Sequence, residues 1–160
     1  MSTATNYEIK SSSSEFTEKI GEQIGKNLIG NELLVLVSDL GGGKTSLTKG
    51  IAKGAGSQDL VSSPSFTLSN EYKTKNYLIA HYDFYRLNDP GVLLDSIVED
   101  IADNKKVVII EWPDIVLQNL PDKKIIIEIQ TLTEHTRKLK MQMKDELNYL
   151  VKGLDELSVY

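Results

Sequence analysis

Apolar residues return at every fourth position through Phe16, Ile20, Ile24 and Leu28, with polar residues between them. That spacing predicts a helix with one apolar stripe. Ser12 and Glu15 have capping-box spacing, which sets its start within residues 11–14, and Gly30-Asn31 stops it. Residues 7–10 read as a short strand before it. Residues 33–37 form an unbroken apolar run followed by a glycine-rich turn, the pattern of a strand buried on both faces of a parallel sheet. A helix is expected over residues 45–55, with Leu47, Ile51 and Ala55 on one side and Gly54 and Gly56 at its end. Residues 57–65 are polar, carry Pro64 and read as a loop. The β-rich segments 66–72 and 77–82 flank a polar stretch, so a hairpin is expected there.

Asp89-Pro90 opens a short helical segment containing Val92, Leu93, Ile97 and Ile101, and residues 106–110 form a second aliphatic run. Residues 113–121 connect it onward. Ile125, Ile127 and Ile129 alternate with other residues, as do Leu139, Met141 and Met143, so each set predicts a strand. Residues 145–157 are expected to form a terminal helix. The sum is one α/β domain over residues 1–160, three layers deep, with a mostly parallel central sheet, antiparallel additions and a helical extension over 144–160.

Composition narrows the classes. The chain has 160 residues, 40% hydrophobic and 26% charged, ordinary values for a globular protein. No apolar run reaches the ~20 residues of a membrane span, and the N-terminus lacks the pattern of a secretory signal. Without cysteine there is no disulfide framework and no thiolate metal site. A cytoplasmic location is therefore expected. A net charge of −5 argues against strong unaided binding to nucleic acid, which rests on Lys and Arg contacts to phosphates. Arg86 and Arg137 are the only arginines.

The segment Ser38-Asp39-Leu40-Gly41-Gly42-Gly43-Lys44-Thr45 lies between an apolar strand and a helix, the setting of a Walker A loop. Glycines let backbone N–H groups turn toward phosphate oxygens without a Cβ in the way, and the helix N-terminus adds partial positive charge. Gly41, Gly42, Gly43, Lys44, Thr45 and Ser46 are the expected nucleotide-binding residues. Lys44 is the cation for the β- and γ-phosphates, and the Thr45 hydroxyl is suited to Mg²⁺. Ser38 occupies the position of the first Walker A glycine, which predicts an effect on loop geometry or affinity without loss of binding.

Such a site also needs carboxylates around Mg²⁺ and the attacking water. Glu111 follows residues 107–110 and Asp83 follows residues 77–82, both at carboxyl ends of strands where α/β sheets bind ligands. The competing account of each is a solvated strand-end acid. Trp112, the sole tryptophan, either lines the nucleotide or a partner surface, or is a packing residue. His81 and His135 have no ligand spacing and read as structural.

The ordered set of residues 41–45, Ser63-Pro64-Ser65-Phe66-Thr67-Leu68, His81-Tyr82-Asp83-Phe84-Tyr85-Arg86-Leu87 and Ile110-Glu111-Trp112-Pro113 resembles the TsaE (YjeE) family over roughly residues 14–143. The resemblance implies a bacterial P-loop ATPase of tRNA threonylcarbamoyladenosine biosynthesis, with ATP and Mg²⁺ as cofactors. It also implies TsaD-like and TsaB-like partners, through which tRNA is met only indirectly. By position, Lys44 and Thr45 match the phosphate and Mg²⁺ residues, Asp83 and Glu111 the two acids, and Thr67 the switch-like segment. The family's usual first glycine and threonine are replaced by Ser38 and Ser65.

Two rivals remain. A small-molecule kinase would share Gly-Lys-Thr, but commonly clamps the phosphoryl group with several arginines. A nucleotide-dependent interaction module would bind ATP or ADP with little turnover.

Overall fold

A computed structural model describes residues 3–39, 41–64, 69–84 and 91–157, except the side chains of Val92 and Ile115. Seven strands form one sheet: β1 (Ala4–Ser11), β2 (Leu33–Ser38), β3 (Ser69–Lys73), β4 (Leu78–Asp83), β5 (Lys106–Glu111), β6 (Ile125–Thr131) and β7 (Arg137–Lys144). Their order is β1-β7-β6-β2-β5-β4-β3. The four central strands β6, β2, β5 and β4 run parallel. β7 and β1 extend one edge and β3 the other, all by antiparallel pairing.

The continuous apolar runs of β2 and β5 follow from burial on both faces. Leu34, Leu36, Val107 and Ile109 face one cluster, and Leu33, Val35, Val108 and Ile110 face the other. On the first face lie α1 (Ser14–Asn27) and α2 (Lys44–Gly54); on the second lies α3 (Gly91–Ala102). The expected three-layer α/β fold, parallel in its middle, is what forms. Full burial of each such aliphatic side chain contributes about 1.5–3 kcal/mol.

The buried face of α1 is Thr17, Ile20, Gly21, Ile24 and Gly25, more than the apolar stripe alone. Its glycines let α2 approach backbone to backbone. A Cβ on Gly25 would lie 2.1 Å from the Ile51 carbonyl oxygen, and one on Gly50 would lie 2.0 Å from that of Glu18. Each glycine costs its helix about 1 kcal/mol relative to alanine, a loss offset by the close crossing that seats α2 beneath the sheet's strand ends.

Several expected boundaries shift for local reasons. Ser13, not Ser12, caps α1, accepting from the Phe16 amide at 3.0 Å. The buried Ser11 hydroxyl fixes this register through Ser13 O and Thr17 Oγ1, both at 2.7 Å. The helix ends at Asn27, because the buried Glu32 carboxylate gathers the amides of Ile29, Gly30 and Asn31 into a turn. The hairpin of β3 and β4 forms, while residues 66–68 of the expected first strand lie outside the described residues.

The terminal segment is not one helix. A 3₁₀ helix spans Asp145–Val151, Gly153 turns at φ +89°, and α4 (Leu154–Leu157) follows. Leu147 and Leu150 are three residues apart, which puts both on one side of a three-residue-per-turn helix. With Leu154 they bury against the α1 face of the core, and Asn27 donates to the carbonyls of Leu150 and Lys152.

Candidate functional site

Side chains alternate faces along a strand, so Ser38, Glu111 and Asp83 project to the face that carries α2. Asp83 and Glu111 are register partners at the carboxyl ends of β4 and β5. Both carboxylates are buried, at 3% and 2% exposure. The loop joining β2 to α2 crosses in front of them. Gly41, Gly42, Gly43, Lys44, Thr45, Ser46, Asp83, Glu111 and Trp112, the whole set singled out from the sequence, line one cavity of about 280 Å³. Ser63 is the tenth lining residue, and its hydroxyl lies 3.5 Å from Asp83 Oδ2.

The loop is shaped by two glycines in the left-handed region, Gly41 at φ +78° and Gly43 at φ +108°. A Cβ on either would meet no atom within 4 Å, so both backbones face open space. No side chain caps α2; Gly43 stands at its cap position. Lys44 is buried, at 7% exposure, and its Nζ donates to Ser38 Oγ at 2.7 Å and to the Asp39 carbonyl at 3.4 Å. Burial pushes the Lys44 ammonium below its ordinary range, while the nearby carboxylates of Glu111, Asp83 and Asp39 pull it upward.

Trp112 holds its ring 4.4 Å from Lys44 Nζ, a cation–π contact. It does so from a left-handed backbone, φ 55° and ψ 62°. For a bulky residue this costs about 1–2 kcal/mol. The turn redirects the chain into the 3₁₀ helix Pro113–Ile115 and leaves the indole over the lysine.

Three contacts of the site escaped sequence reasoning. Ser38 is the direct partner of the lysine. His81, read as structural, is fully buried with Nε2 3.2 Å from Glu111 Oε2 and Nδ1 3.0 Å from the Tyr72 hydroxyl. Arg137, at the start of β7, donates through Nε to the Gly42 carbonyl at 3.2 Å, and through a terminal nitrogen to the carbonyls of Thr133, Glu134 and Thr136. Only period-two counting back from Asp83 could have flagged His81; nothing local flags Arg137. Arg86, Ser65 and Thr67 lie outside the described residues.

An open backbone cradle, a buried ammonium and paired carboxylates form a donor set that suits a nucleotide's phosphates and a hard divalent cation. A second cavity, of about 610 Å³, shares Gly41, Gly43 and Ser46 with the first and extends between the start of α1 and Arg137.

A glycine loop joining a central parallel strand to a helix, opposite acids at neighbouring strand ends, defines a P-loop α/β protein. Residues 11–139 match the family described as threonylcarbamoyl adenosine biosynthesis protein TsaE. A tRNA threonylcarbamoyladenosine biosynthesis protein TsaE from Rickettsia felis is 35% identical over 124 residues, 77% of this chain and 72% of that protein. The protein of the same name from Aquifex aeolicus is 35% identical over 134 residues, 82% of this chain and 92% of its own. The crystal structure of Bacillus subtilis YdiB superposes with a TM-score of 0.77 over 98% of this chain and 97% of that one, at 24% identity, a likeness of fold. The chain belongs to the TsaE family.

Proposed function

We propose that this protein is a Mg²⁺-dependent ATPase of tRNA threonylcarbamoyladenosine biosynthesis, acting in the cytoplasm on a complex of TsaD-like and TsaB-like proteins. The observation that carries the reading is Lys44, a buried cation on a glycine cradle, facing the buried pair Asp83 and Glu111. The amides of residues 41–46 and the Lys44 ammonium would bind the phosphates, with Trp112 beside them. The Thr45 hydroxyl, Asp83 and Glu111 would surround Mg²⁺ through its ligands and waters. Bound Mg²⁺ supplies neutralisation of the charge that develops on the transferring phosphoryl oxygens. Glu111 orients the attacking water and takes up its proton, while the enclosing indole limits bulk water.

Arg137 favours hydrolysis over a kinase lid, since its guanidinium is engaged by backbone carbonyls. The isolated chain should therefore turn over slowly, because an arginine at the transferring phosphoryl group can be worth about 10³–10⁵ in rate. The net charge of −5 supports reaching tRNA only through the partner complex. No helix among the described residues is long and apolar enough to cross a membrane.

Calorimetric titration with ATP and Mg²⁺, alongside single-turnover hydrolysis with and without the partners, tests the reading. Lys44→Ala should abolish binding, whereas Glu111→Ala should bind nearly as wild type and not hydrolyse. Equal loss of binding in both variants would mark Glu111 as structural.

A further inference from the structure

His81 sits two residues before Asp83 on β4, and strand alternation turns it to the same face as Asp83 and Glu111. Its imidazole is fully buried between two groups of unlike kind. On one side, Nδ1 lies 3.0 Å from the Tyr72 hydroxyl, which also lies 3.1 Å from the Ser62 carbonyl. On the other, Nε2 lies 3.2 Å from Glu111 Oε2. That separation suits a hydrogen bond, but the two groups are not aligned for one. His81 Nε2 is the one buried side-chain nitrogen or oxygen among the described residues without a hydrogen-bond partner. A packing histidine has no reason to leave a nitrogen unpaired beside a carboxylate at a cavity wall.

Proton counting selects the tautomer. If the ring proton sat on Nδ1, a bare lone pair on Nε2 would face the Glu111 carboxylate, and the two would repel. With the proton on Nε2, the Tyr72 hydroxyl turns its single proton from the Ser62 carbonyl, which keeps the Asn70 side-chain amide as a donor at 3.3 Å, to Nδ1, and Nε2–H points to the carboxylate. A small rotation of the Glu111 side chain then closes an Nε2–H···Oε2 bond. One carboxylate oxygen is pinned, and the other is left to face the cavity. We infer that His81, as the Nε2–H tautomer held by Tyr72, is the positioning residue of Glu111. The inference rests on the proposed role of Glu111 toward the attacking water.

Two amide substitutions separate the ring nitrogens, because glutamine places its NH₂ near Nε2 and asparagine near Nδ1. ATP turnover at saturation, nucleotide affinity followed by Trp112 fluorescence, and thermal unfolding are measured for His81→Gln, His81→Asn and Tyr72→Phe. Long-range ¹H–¹⁵N spectra of the wild-type imidazoles are recorded as well. Loss of an orienting partner behind a functional group typically costs about ten- to hundredfold. His81→Asn should therefore lose turnover on that scale with affinity nearly unchanged, and His81→Gln should recover most of it. Tyr72→Phe should fall between them. The spectra should show His81 protonated at Nε2.

Equal turnover in the glutamine and asparagine variants, both folded, overturns the inference. So does an Nδ1–H imidazole in the spectra, which decide the matter even if a variant fails to fold. Undiminished hydrolysis by Glu111→Ala would instead sink the role given to Glu111, without touching the tautomer assignment.

Discussion

The Lys44 ammonium lies 2.7 Å from the hydroxyl of Ser38, the residue that stands where a Walker A loop usually has its first glycine. Ser38 holds no positive φ, so its backbone does not require glycine. Its side chain packs against Gly42, where a Cβ would approach Ser38 Oγ to 2.5 Å. Without phosphate, the serine gives the lysine a partner that a nucleotide must displace.

Ser38→Ala should therefore bind nucleotide more tightly. Removing the competing hydrogen bond is worth roughly 1 kcal/mol at this partly open site, about fivefold in affinity. Calorimetric titration measures it, with a slightly lower melting temperature expected for the variant. Weaker binding would show instead that Ser38 shapes the loop toward the phosphates.

Arg137 ties the β6–β7 turn to the loop through the Gly42 carbonyl. Arg137→Ala should weaken nucleotide binding roughly fivefold, about 1 kcal/mol for a charge-assisted bond at a half-exposed side chain. Turnover at saturation should change little, because the guanidinium is turned to backbone carbonyls. Arg137→Lys should not recover the affinity, since an ammonium cannot span the same fork of carbonyls. A variant that binds normally but loses turnover would place Arg137 in the chemistry.

Alkaline pH should destabilise the fold. Burial, then the charge of Glu32, pushes the Tyr77 phenol from 10.0 up to about 12. Burial also raises Tyr82 and Tyr149, reinforced by their hydrogen bonds to Asp100 and Glu32. Each keeps its proton in the folded chain at a pH where the unfolded chain has released it. Their contribution is thus complete below about pH 10 and is lost as pH rises toward 12 and beyond. Lys44, lowered by burial, has the opposite sign but is a single group. Denaturant unfolding across this range should show stability falling only above about pH 10. A decline that begins near neutrality would contradict the assignment.

The strands and helices that build the site were legible because their signals are local. Apolar runs at residues 33–37 and 106–110, the glycines before Lys44, and the acid ending each of two strands can be read from neighbouring residues alone. The expected helix over residues 145–157 failed because its apolar residues answer to α1, and Gly153 breaks it at a positive φ. Ser12 gave way to Ser13 as the cap of α1 because Ser11 bonds Thr17 across the first turn.

By itself, the order of residues determined the sheet's apolar strands, the phosphate-type loop and the two acids, since each follows from spacing along the chain. Only the tertiary structure decided that Asp83 lies beside Glu111, that His81 and Tyr72 stand behind that carboxylate, and that Arg137 holds Gly42. Those relations depend on strand order and register, through which residues distant in sequence share a face. A period of two or 3.6 residues names the face of one element but not its neighbour, and the chemistry of this site lies between neighbours.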